Sequence, residues 1–327
     1  MVNWGIIGLG NMANKFADAI LEVNNAKLLG VASLNSNRLE NFSEKYKIKK
    51  DFQFKTYEDL LSNKEINAIY IATLNNTHLK LIINSAKQKK SILCEKPMSL
   101  SKNESKEALK NIKKFNVFFM EAIAYRSHPQ VKNIIKILKN DGLGEIKSIK
   151  SSFGFIVKKV KKDSRLFNKS FGGGAILDIG CYPLSFVSFL NLNNTILFEN
   201  VTGSFSSTGV DDYAEANLLI NNNIKANIKV SFKENLENNS IIFCENGHIV
   251  IPSPWLPEKK SYIEVFKKES SYKIFLNLDK SIYAQQISYA SDLISNNRLE
   301  AEYPGINIDE SMKISELLEE WSKKIKV

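Results

Sequence analysis

A glycine-rich turn near the amino terminus constrains the fold of this chain more than any other feature. The segment from Gly8 to Ala13 reads G-L-G-N-M-A, follows a short apolar strand pattern and opens a helical pattern. In this G-x-G-x-x-A arrangement Gly8 permits a tight turn, Gly10 lets a ligand approach the backbone, and Ala13 allows close helix–strand packing. The backbone N–H groups of Asn11 and Met12 then face an anion. The motif predicts that a dinucleotide binds here, and the alternative is a glycine-rich turn without a ligand.

Strand and helix patterns alternate through the first third of the chain. Strand-like runs cover residues 3–8, 27–33, 66–72, 91–94 and 117–120, and helical patterns cover residues 11–23, 38–46, 77–89 and 101–115. Alternation at this spacing is typical of a doubly wound parallel sheet. We therefore expect an α/β fold whose first domain, residues 1–123, is a Rossmann-type dinucleotide-binding unit.

The pattern changes after residue 123. Eight β-rich runs follow between residues 146 and 276, mostly joined by short turns that contain Asn or Gly, with helical patterns at 129–139, 283–295 and 309–324. Short turns of this kind build antiparallel sheets. We expect residues 124–327 to form an α+β domain with a large open, mostly antiparallel sheet, which binds the substrate and mediates oligomerisation.

Composition excludes several classes of partner. The formal net charge is +10, but the lysines are scattered among acids and no nucleic-acid recognition motif accompanies them, so we expect no nucleic-acid partner. No apolar stretch reads as a membrane span, so no membrane association is expected. Cys94, Cys181 and Cys244 are too far apart for a CxxC pair. We therefore expect no zinc or other metal site, no disulfide framework, and a cytoplasmic location.

The end of the second strand bears on the choice of dinucleotide. NAD sites normally place an Asp or Glu here to bind the ribose 2′-hydroxyl, but residues 31–38 read V-A-S-L-N-S-N-R and contain neither. Ser33, Ser36 and Arg38 could instead hold a 2′-phosphate, which favours NADP over NAD as the cofactor. The alternative for Arg38 is a solvated side chain in the first turn of a helix.

A third strand ends in Thr73, and Asn75 and His78 follow it. Because the carboxyl ends of parallel strands meet at one edge of the sheet, these side chains are candidates for contact with the nicotinamide ribose. The alternative is that they cap the next helix and that His78 packs locally. The two interpretations are compatible.

The strand at residues 91–94 ends abruptly in Glu95, Lys96 and Pro97. Ligands of α/β proteins bind at this edge of the sheet, so Glu95 and Lys96 are candidate cofactor contacts and Lys96 is a candidate catalytic residue. Taken alone, the same residues also fit an ordinary charged turn.

A second cluster lies in the segment from Gly172 to Pro183, which reads G-G-G-A-I-L-D-I-G-C-Y-P. Asp178 and Tyr182 are four residues apart and share a face if the segment is helical. An Asp among Ile and Leu needs a partner, which Lys96 of the first domain could supply. The alternative is an amphipathic helix with a capping loop.

Taken together, these motifs resemble the Gfo/Idh/MocA oxidoreductases over nearly the whole chain. Within that family the sequence is most similar to dimeric dihydrodiol dehydrogenases and NADP-dependent D-xylose dehydrogenases. The resemblance is carried by the following segments: G-x-G-x-x-A at Gly8, C-E-K-P at 94–97, M-E-A at 120–122, Y-R-S-H-P at 125–129, R-L-F at 165–167, the segment at 172–183, T-G-V-D at 208–211, residues 247–257 and the carboxyl-terminal helices.

The resemblance implies roles for the candidate residues. Lys96 corresponds to the family's active-site lysine and is expected to precede a cis proline. Asp178 and Tyr182 fall on the family's catalytic positions, and Tyr182 is then the proton-transfer group. A free tyrosine has a pKa of about 10, so it needs a nearby cation, which Lys96 would supply. Whether Lys96 itself takes the proton stays open.

Further candidates for substrate contact are Tyr125, Arg126 and Arg165, in addition to Asp178 and Tyr182. For the two arginines, structural ion pairs are an equal alternative.

The sequence thus predicts an NAD(P)-dependent oxidoreductase. It would move a hydride between nicotinamide and a carbinol or carbonyl carbon of a sugar, cyclic polyol or related diol. Two alternatives are an oxidoreductase acting on a non-sugar substrate and a non-catalytic ligand sensor. The resemblance also implies a homodimer or homotetramer that assembles through the carboxyl-terminal sheet.

Overall fold

The computed structural model describes residues 1–190 and 195–325. The chain divides into two units: the first comprises Met1–Ser127 and Asp279–Met312, and the second comprises His128–Leu278 and the chain from Lys313 onwards.

A parallel sheet of six strands forms the centre of the first unit. Its strands are β1 (Val2–Ile7), β2 (Ala26–Ala32), β3 (Gln53–Phe54), β4 (Ala68–Ile71), β5 (Ser91–Cys94) and β6 (Phe119–Glu121). Their order is β3-β2-β1-β4-β5-β6, and all neighbours are parallel. The predicted doubly wound Rossmann sheet is confirmed. All six carboxyl ends, with the glycine turn and Glu95–Pro97, therefore lie at one edge.

Helices flank this sheet, and their ends follow local sequence signals. They are α1 (Asn11–Ala19), α2 (Ser36–Lys45), α3 (Tyr57–Ser62), α4 (His78–Lys87) and α5 (Lys102–Phe115). Ser101 caps α5 by accepting a hydrogen bond from the Glu104 amide, as its sequence predicts. Asn116 ends α5 in the left-handed conformation. The short elements β3 and α3 were not predicted because two and six residues are too few to show a periodic pattern.

A carboxyl-terminal segment returns to complete the first unit. It contains α8 (Ile282–Ser295) and the start of α9 (Ile308–Lys324). The Trp4 indole nitrogen on β1 donates to the Ser291 hydroxyl on α8 (3.0 Å). The Phe119 amide on β6 donates to the carbonyl of Leu299 (2.9 Å). The expected division into residues 1–123 and 124–327 thus differs from the two units of the structure, which place residues 279–312 with the dinucleotide-binding sheet.

An eight-stranded sheet forms the second unit. Its strands are β7 (Ile146–Gly154), β8 (Ile196–Phe205), β9 (Asp211–Ile220), β10 (Ile224–Ser231), β11 (Ser240–Cys244), β12 (Gly247–Ile251), β13 (Lys260–Lys267) and β14 (Ser271–Asn277). The order is β14-β13-β12-β11-β7-β10-β9-β8, antiparallel except for the β7–β10 pair. The predicted large, mostly antiparallel sheet is confirmed.

Two helices, α6 (Pro129–Asn140) and α7 (Cys181–Leu190), complete the core of the second unit together with Trp255. The stretch Lys169–Leu190 is long and apolar enough to cross a membrane, which corrects the expectation that no stretch reaches that length. However, 89% of its 18-residue window is buried inside the protein. A helix that is apolar on all sides is typical of a buried core.

Candidate active site

The glycine turn after β1 leaves room for a ligand at the start of α1. Gly8 has a φ of +88°, and a Cβ there would lie 2.8 Å from the Ala72 carbonyl oxygen. A Cβ on Gly10 would meet no atom of the described residues within 4 Å. Gly10 is the N-cap residue of α1, and no side chain in the described part of the chain caps this amino-terminal end of the helix. This uncapped helix start at Asn11 and Met12 and the open space at Gly10 fit the pyrophosphate of NAD(P).

The turn after β2 presents polar groups beside that loop. Ser33 is buried and accepts a hydrogen bond from the Asn35 amide (3.2 Å), and Asn35 in turn caps α2 by accepting from the Arg38 amide (2.9 Å). The Arg38 side chain is exposed in the first turn of α2. This places a serine hydroxyl and a guanidinium where an NAD site would have a carboxylate.

The turn after β4 is held to the Lys96 turn by His78. Nδ1 of His78 lies 2.9 Å from the Pro97 carbonyl oxygen, and Nε2 lies 3.4 Å from that of Thr73. The ring is completely buried, and burial lowers its pKa. The expected contact between His78 and the nicotinamide ribose is therefore corrected, because both ring nitrogens face backbone carbonyls. Thr73 and Asn75 are partly exposed and stay candidates for that contact.

Lys96 follows β5 in a turn that its neighbours fix from both sides. The Lys96–Pro97 peptide bond is cis, as the resemblance implies. Glu95 is buried and accepts a hydrogen bond from the Tyr70 hydroxyl on β4. Because its carboxylate is engaged in this way, Glu95 holds the turn in place, while the Lys96 side chain is partly exposed at the carboxyl edge.

The second unit carries Asp178 in a π-helical turn, Ile176–Gly180, that leads into α7. Asp178 is buried and accepts a hydrogen bond from Nη1 of Arg165 (2.8 Å), whose side chain is 55% exposed. Arg165 is thus a partner of this buried carboxylate within its own unit. Such π turns are frequent at functional sites because the wider turn re-aims side chains.

Tyr182 lies on α7 against an aromatic wall. Its ring centroid is 5.2 Å from that of Phe153 and 6.0 Å from that of Trp255. The side chain is 8% exposed. An apolar wall beside a phenolic hydroxyl can pack against the face of a ring-shaped substrate.

Asp211 anchors the start of the π turn, a role that sequence reasoning missed. Its Oδ2 accepts a hydrogen bond from the Ile176 amide (2.7 Å). Burial raises the pKa of Asp211 to about 6, although hydrogen bonds from backbone amides, chiefly that of Ile176, lower it. The signal in the sequence was the T-G-V-D segment, which was noted without a role.

Two predicted substrate contacts, Tyr125 and Arg126, are buried inside the first unit. Tyr125 is 1% exposed and Arg126 is 2% exposed. The Arg126 guanidinium forms a two-pronged ion pair with Glu310, and its Nε donates to the Pro304 carbonyl (2.9 Å). Of the two interpretations left open for Arg126, the structure supports the structural ion pair, and the substrate contact is corrected. The buried Tyr125 likewise presents almost no surface to a ligand.

Comparisons with known proteins agree with this geometry. Residues 2–123 match the oxidoreductase family GFO/IDH/MocA, described as an NAD-binding Rossmann fold, and residues 131–250 match the GFO/IDH/MocA C-terminal domain. A trans-1,2-dihydrobenzene-1,2-diol dehydrogenase from Xenopus tropicalis is 30% identical over 78% of this chain and 76% of that enzyme. The Mus musculus enzyme of the same name is 26% identical over 100% of this chain and 97% of its own length.

Solved structures share the fold. A 3-ketoreductase from Actinomadura kijaniata, in complex with TDP-benzene and NADP, superposes with a TM-score of 0.86 at 19% identity, covering 99% of this chain and 98% of its own. An aldose-aldose oxidoreductase from Caulobacter crescentus gives a TM-score of 0.87 at 21% identity, covering 99% and 97%. These likenesses show the fold, and the two family matches and the 30% identical relative show that the chain belongs to the GFO/IDH/MocA family and is an NAD(P)-dependent oxidoreductase.

Proposed function

We propose that this enzyme transfers a hydride between NADP and a carbinol or carbonyl carbon of a sugar, cyclic polyol or related diol. The observation that carries the proposal lies within the first unit. The uncapped start of α1, with the open space at Gly10, lies at one edge of the parallel sheet. The partly exposed Lys96 lies at the same edge. The relatives named above act, by their names, on diols and aldoses, which supports an alcohol carbon as the reacting centre.

Three residues are assigned to the chemistry. NAD(P), when bound, supplies or accepts the hydride at the nicotinamide ring. Tyr182 takes a proton from the substrate hydroxyl during oxidation and returns it during reduction. The Lys96 ammonium stabilises the phenolate form of Tyr182 that accepts this proton, since a tyrosine with its usual pKa of about 10 is otherwise protonated, and so a poor base, at neutral pH. A Lys96 that itself takes the proton is the alternative within the same mechanism.

Asp178 orients the substrate hydroxyl or the lysine in this proposal. Its contact with Arg165 supports such a role, because the ion pair holds the buried carboxylate in a fixed orientation. Arg165 remains more than half exposed and is available to a polar substrate as well.

The preference for NADP rests on Ser33 and Arg38. A hydroxyl and an exposed guanidinium follow β2 in a segment that contains no carboxylate, and this suits a 2′-phosphate. Michaelis constants for both dinucleotides test the preference, together with Arg38→Ala. That variant should raise the constant for NADP and leave the constant for NAD unchanged. A wild-type enzyme that prefers NAD would refute it.

The substrate itself is best found by screening. Reduction of NAD or NADP would be followed over aldoses, inositols and cyclic diols, and the rings of Phe153 and Tyr182 predict a preference for cyclic substrates. Turnover with acyclic or acidic non-sugar alcohols alone would favour the second candidate. If both dinucleotides bind and no alcohol is oxidised by wild type, the ligand-sensor alternative is favoured.

We also propose a homodimer or homotetramer assembled through the outer face of the large sheet. Residues that alternate with buried positions on β11 to β14 form this face. They include Phe243, His248, Phe266, Tyr262 and Phe275, the last of which is 66% exposed. A second copy would cover this aromatic row. Sedimentation of a monomer alone at micromolar concentration would refute the assembly.

We also propose a reducing, cytoplasmic location for the protein, since none of the three cysteines forms a disulfide in the described residues.

A further inference from the structure

Glu121 is a buried carboxyl group at the Lys96 turn for which the mechanism so far has no role. It ends β6, and its backbone pairs with Cys94 of the neighbouring strand β5. Because the two strands are parallel, Glu121 leaves the sheet at the edge where Lys96 does. The residue is only 2% exposed.

The hydrogen bonds of Glu121 reach the turn directly. Its Oε1 accepts a hydrogen bond from the Met98 amide (2.9 Å), two residues beyond Lys96. Its Oε2 is equally buried and has no well-formed hydrogen bond to any residue that the structure describes. An apolar side chain would fill this place at lower cost, since a buried carboxylate loses its hydration. Packing therefore does not explain the choice of residue.

The titratable and polar groups around Glu121 belong to three elements. Cys94 lies on β5, Lys96 on the turn, and Glu310 and Ser311 on α9. Burial raises the pKa of Glu121 to about 7, and Glu310 also raises it, while the Met98 amide, the Ser311 hydroxyl and the Lys96 ammonium lower it. Glu310 is held in its ion pair with Arg126. Lys96 is therefore a cation whose field acts on the Glu121 carboxyl.

We propose that Glu121 is a positioning residue for Lys96: one carboxyl oxygen fixes the Pro97–Met98 backbone, and the ionised group stabilises the lysine ammonium. This inference rests on the role of Lys96 in the proposed function. The attraction is reciprocal, so a neutral Glu121 gives the ammonium less support. Since Glu121 takes up a proton near neutral pH, the enzyme should lose kcat/KM as the pH falls through about 7.

Glu121→Gln tests the charge while keeping an acceptor for the Met98 amide. We expect kcat/KM at about pH 8 to fall roughly 10-fold and the ionisation near neutral pH to vanish from the profile. The dissociation constant for NADP should stay within about 2-fold, because the glycine turn is untouched. The variant should melt at the wild-type temperature or above at about pH 8, since a buried charge has been removed.

Two serine variants supply a second test and a control. Ser311→Ala removes a group that lowers the pKa of Glu121, so the ionisation in kcat/KM should move to higher pH. Ser85→Ala removes another buried hydroxyl without a hydrogen-bond partner among the described residues, on α4, and should leave the profile as in wild type. Because Ser311→Ala leaves Glu121 in place, it remains informative if Glu121→Gln does not fold.

The outcomes separate this inference from the proposed function. If Lys96→Met turns over within a few-fold of wild type, the role of Lys96 in the proposed function and this inference both fail. If Lys96→Met is inactive but Glu121→Gln and Ser311→Ala keep the wild-type pH profile, only the role of Glu121 is overturned. A lower melting temperature of Glu121→Gln at about pH 8 with an unchanged profile would make the residue purely structural.

Discussion

Gly174 and Asp211 pack so closely that any side chain at residue 174 would overlap the Asp211 carboxylate. The same carboxylate accepts a hydrogen bond from the Ile176 amide, at the first residue of the π turn that carries Asp178. The glycine before the turn and the acid on β9 thereby set the position of a candidate catalytic group.

Gly174→Ala should weaken both stability and activity. The residue has a φ of +119°, so an alanine there is strained in addition to displacing Asp211. We expect a loss of about 1–3 kcal/mol in the free energy of unfolding and roughly a 10-fold loss of kcat/KM, measured by urea unfolding and initial rates. Gly142→Ala is the control, because its φ is +69° and a Cβ there meets no described atom within 4 Å. Equal effects of both substitutions would show that Asp211 is not involved.

Lys96→Met should abolish turnover and spare cofactor binding. The methionine keeps the length of the side chain but removes the charge that supports proton transfer, a contribution of about 10²–10⁴-fold. The dissociation constant for NADP, measured by fluorescence titration, should change by less than about 5-fold. Lys106→Met on the exposed face of α5 is the matched control and should behave as wild type. Turnover of Lys96→Met within a few-fold of wild type would contradict the assigned role.

Arg126→Met should destabilise the first unit. Removal of the guanidinium leaves Glu310 as a buried carboxylate without its cation, which typically costs about 3–5 kcal/mol. The double variant Arg126→Met, Glu310→Leu should recover much of that loss, because neither charge is then buried alone. Arg298→Met breaks an exposed pair with Glu302 and should change stability by less than about 1 kcal/mol. A selective rise in substrate KM with unchanged stability would instead restore the substrate-binding role of Arg126.

His128→Asn should flatten the acid side of the stability profile. His128 caps α6 by accepting a hydrogen bond from the Gln130 amide (3.2 Å), and burial lowers its pKa to about 4. The unfolded imidazole titrates near 6.5, so the folded protein resists protonation and loses stability as the pH falls from about 6.5 towards 4, by up to about 3 kcal/mol. Asparagine keeps the cap without titrating. If the free energies of unfolding of wild type and variant, measured with urea, fell equally with pH over this range, the assignment to His128 would be contradicted.

The order of elements could be predicted from the sequence because each long element has its own period. The strand at 91–94, the Ser101 cap of α5 and the β-rich runs after residue 146 all follow local signals. The return of α8 to the first sheet could not be predicted. It depends on contacts such as that between Trp4 and Ser291, which lie far apart in sequence. Pattern and propensity do not encode such contacts.

The site was predicted in part. The tight turn at Gly8 is confirmed, since the need for a positive φ is visible in the residue type itself, and the cis bond between Lys96 and Pro97 is present as the family resemblance implies. The partners of His78 and Arg126 were not predictable, because a buried polar side chain shows what it needs but not which atom supplies it. The catalytic roles of Asp178 and Tyr182 stay predictions.

The contact between Trp4 and Ser291 has a consequence for how the protein is made. The first strand leaves the ribosome long before the helix that carries Ser291, so the nascent dinucleotide-binding sheet lacks the partner of the Trp4 indole while residues 128–278 of the second unit are synthesised. The amino-terminal part of the chain is therefore not a separable module, and a fragment that ends at Ser127 lacks residues 279–312, which belong to the same unit.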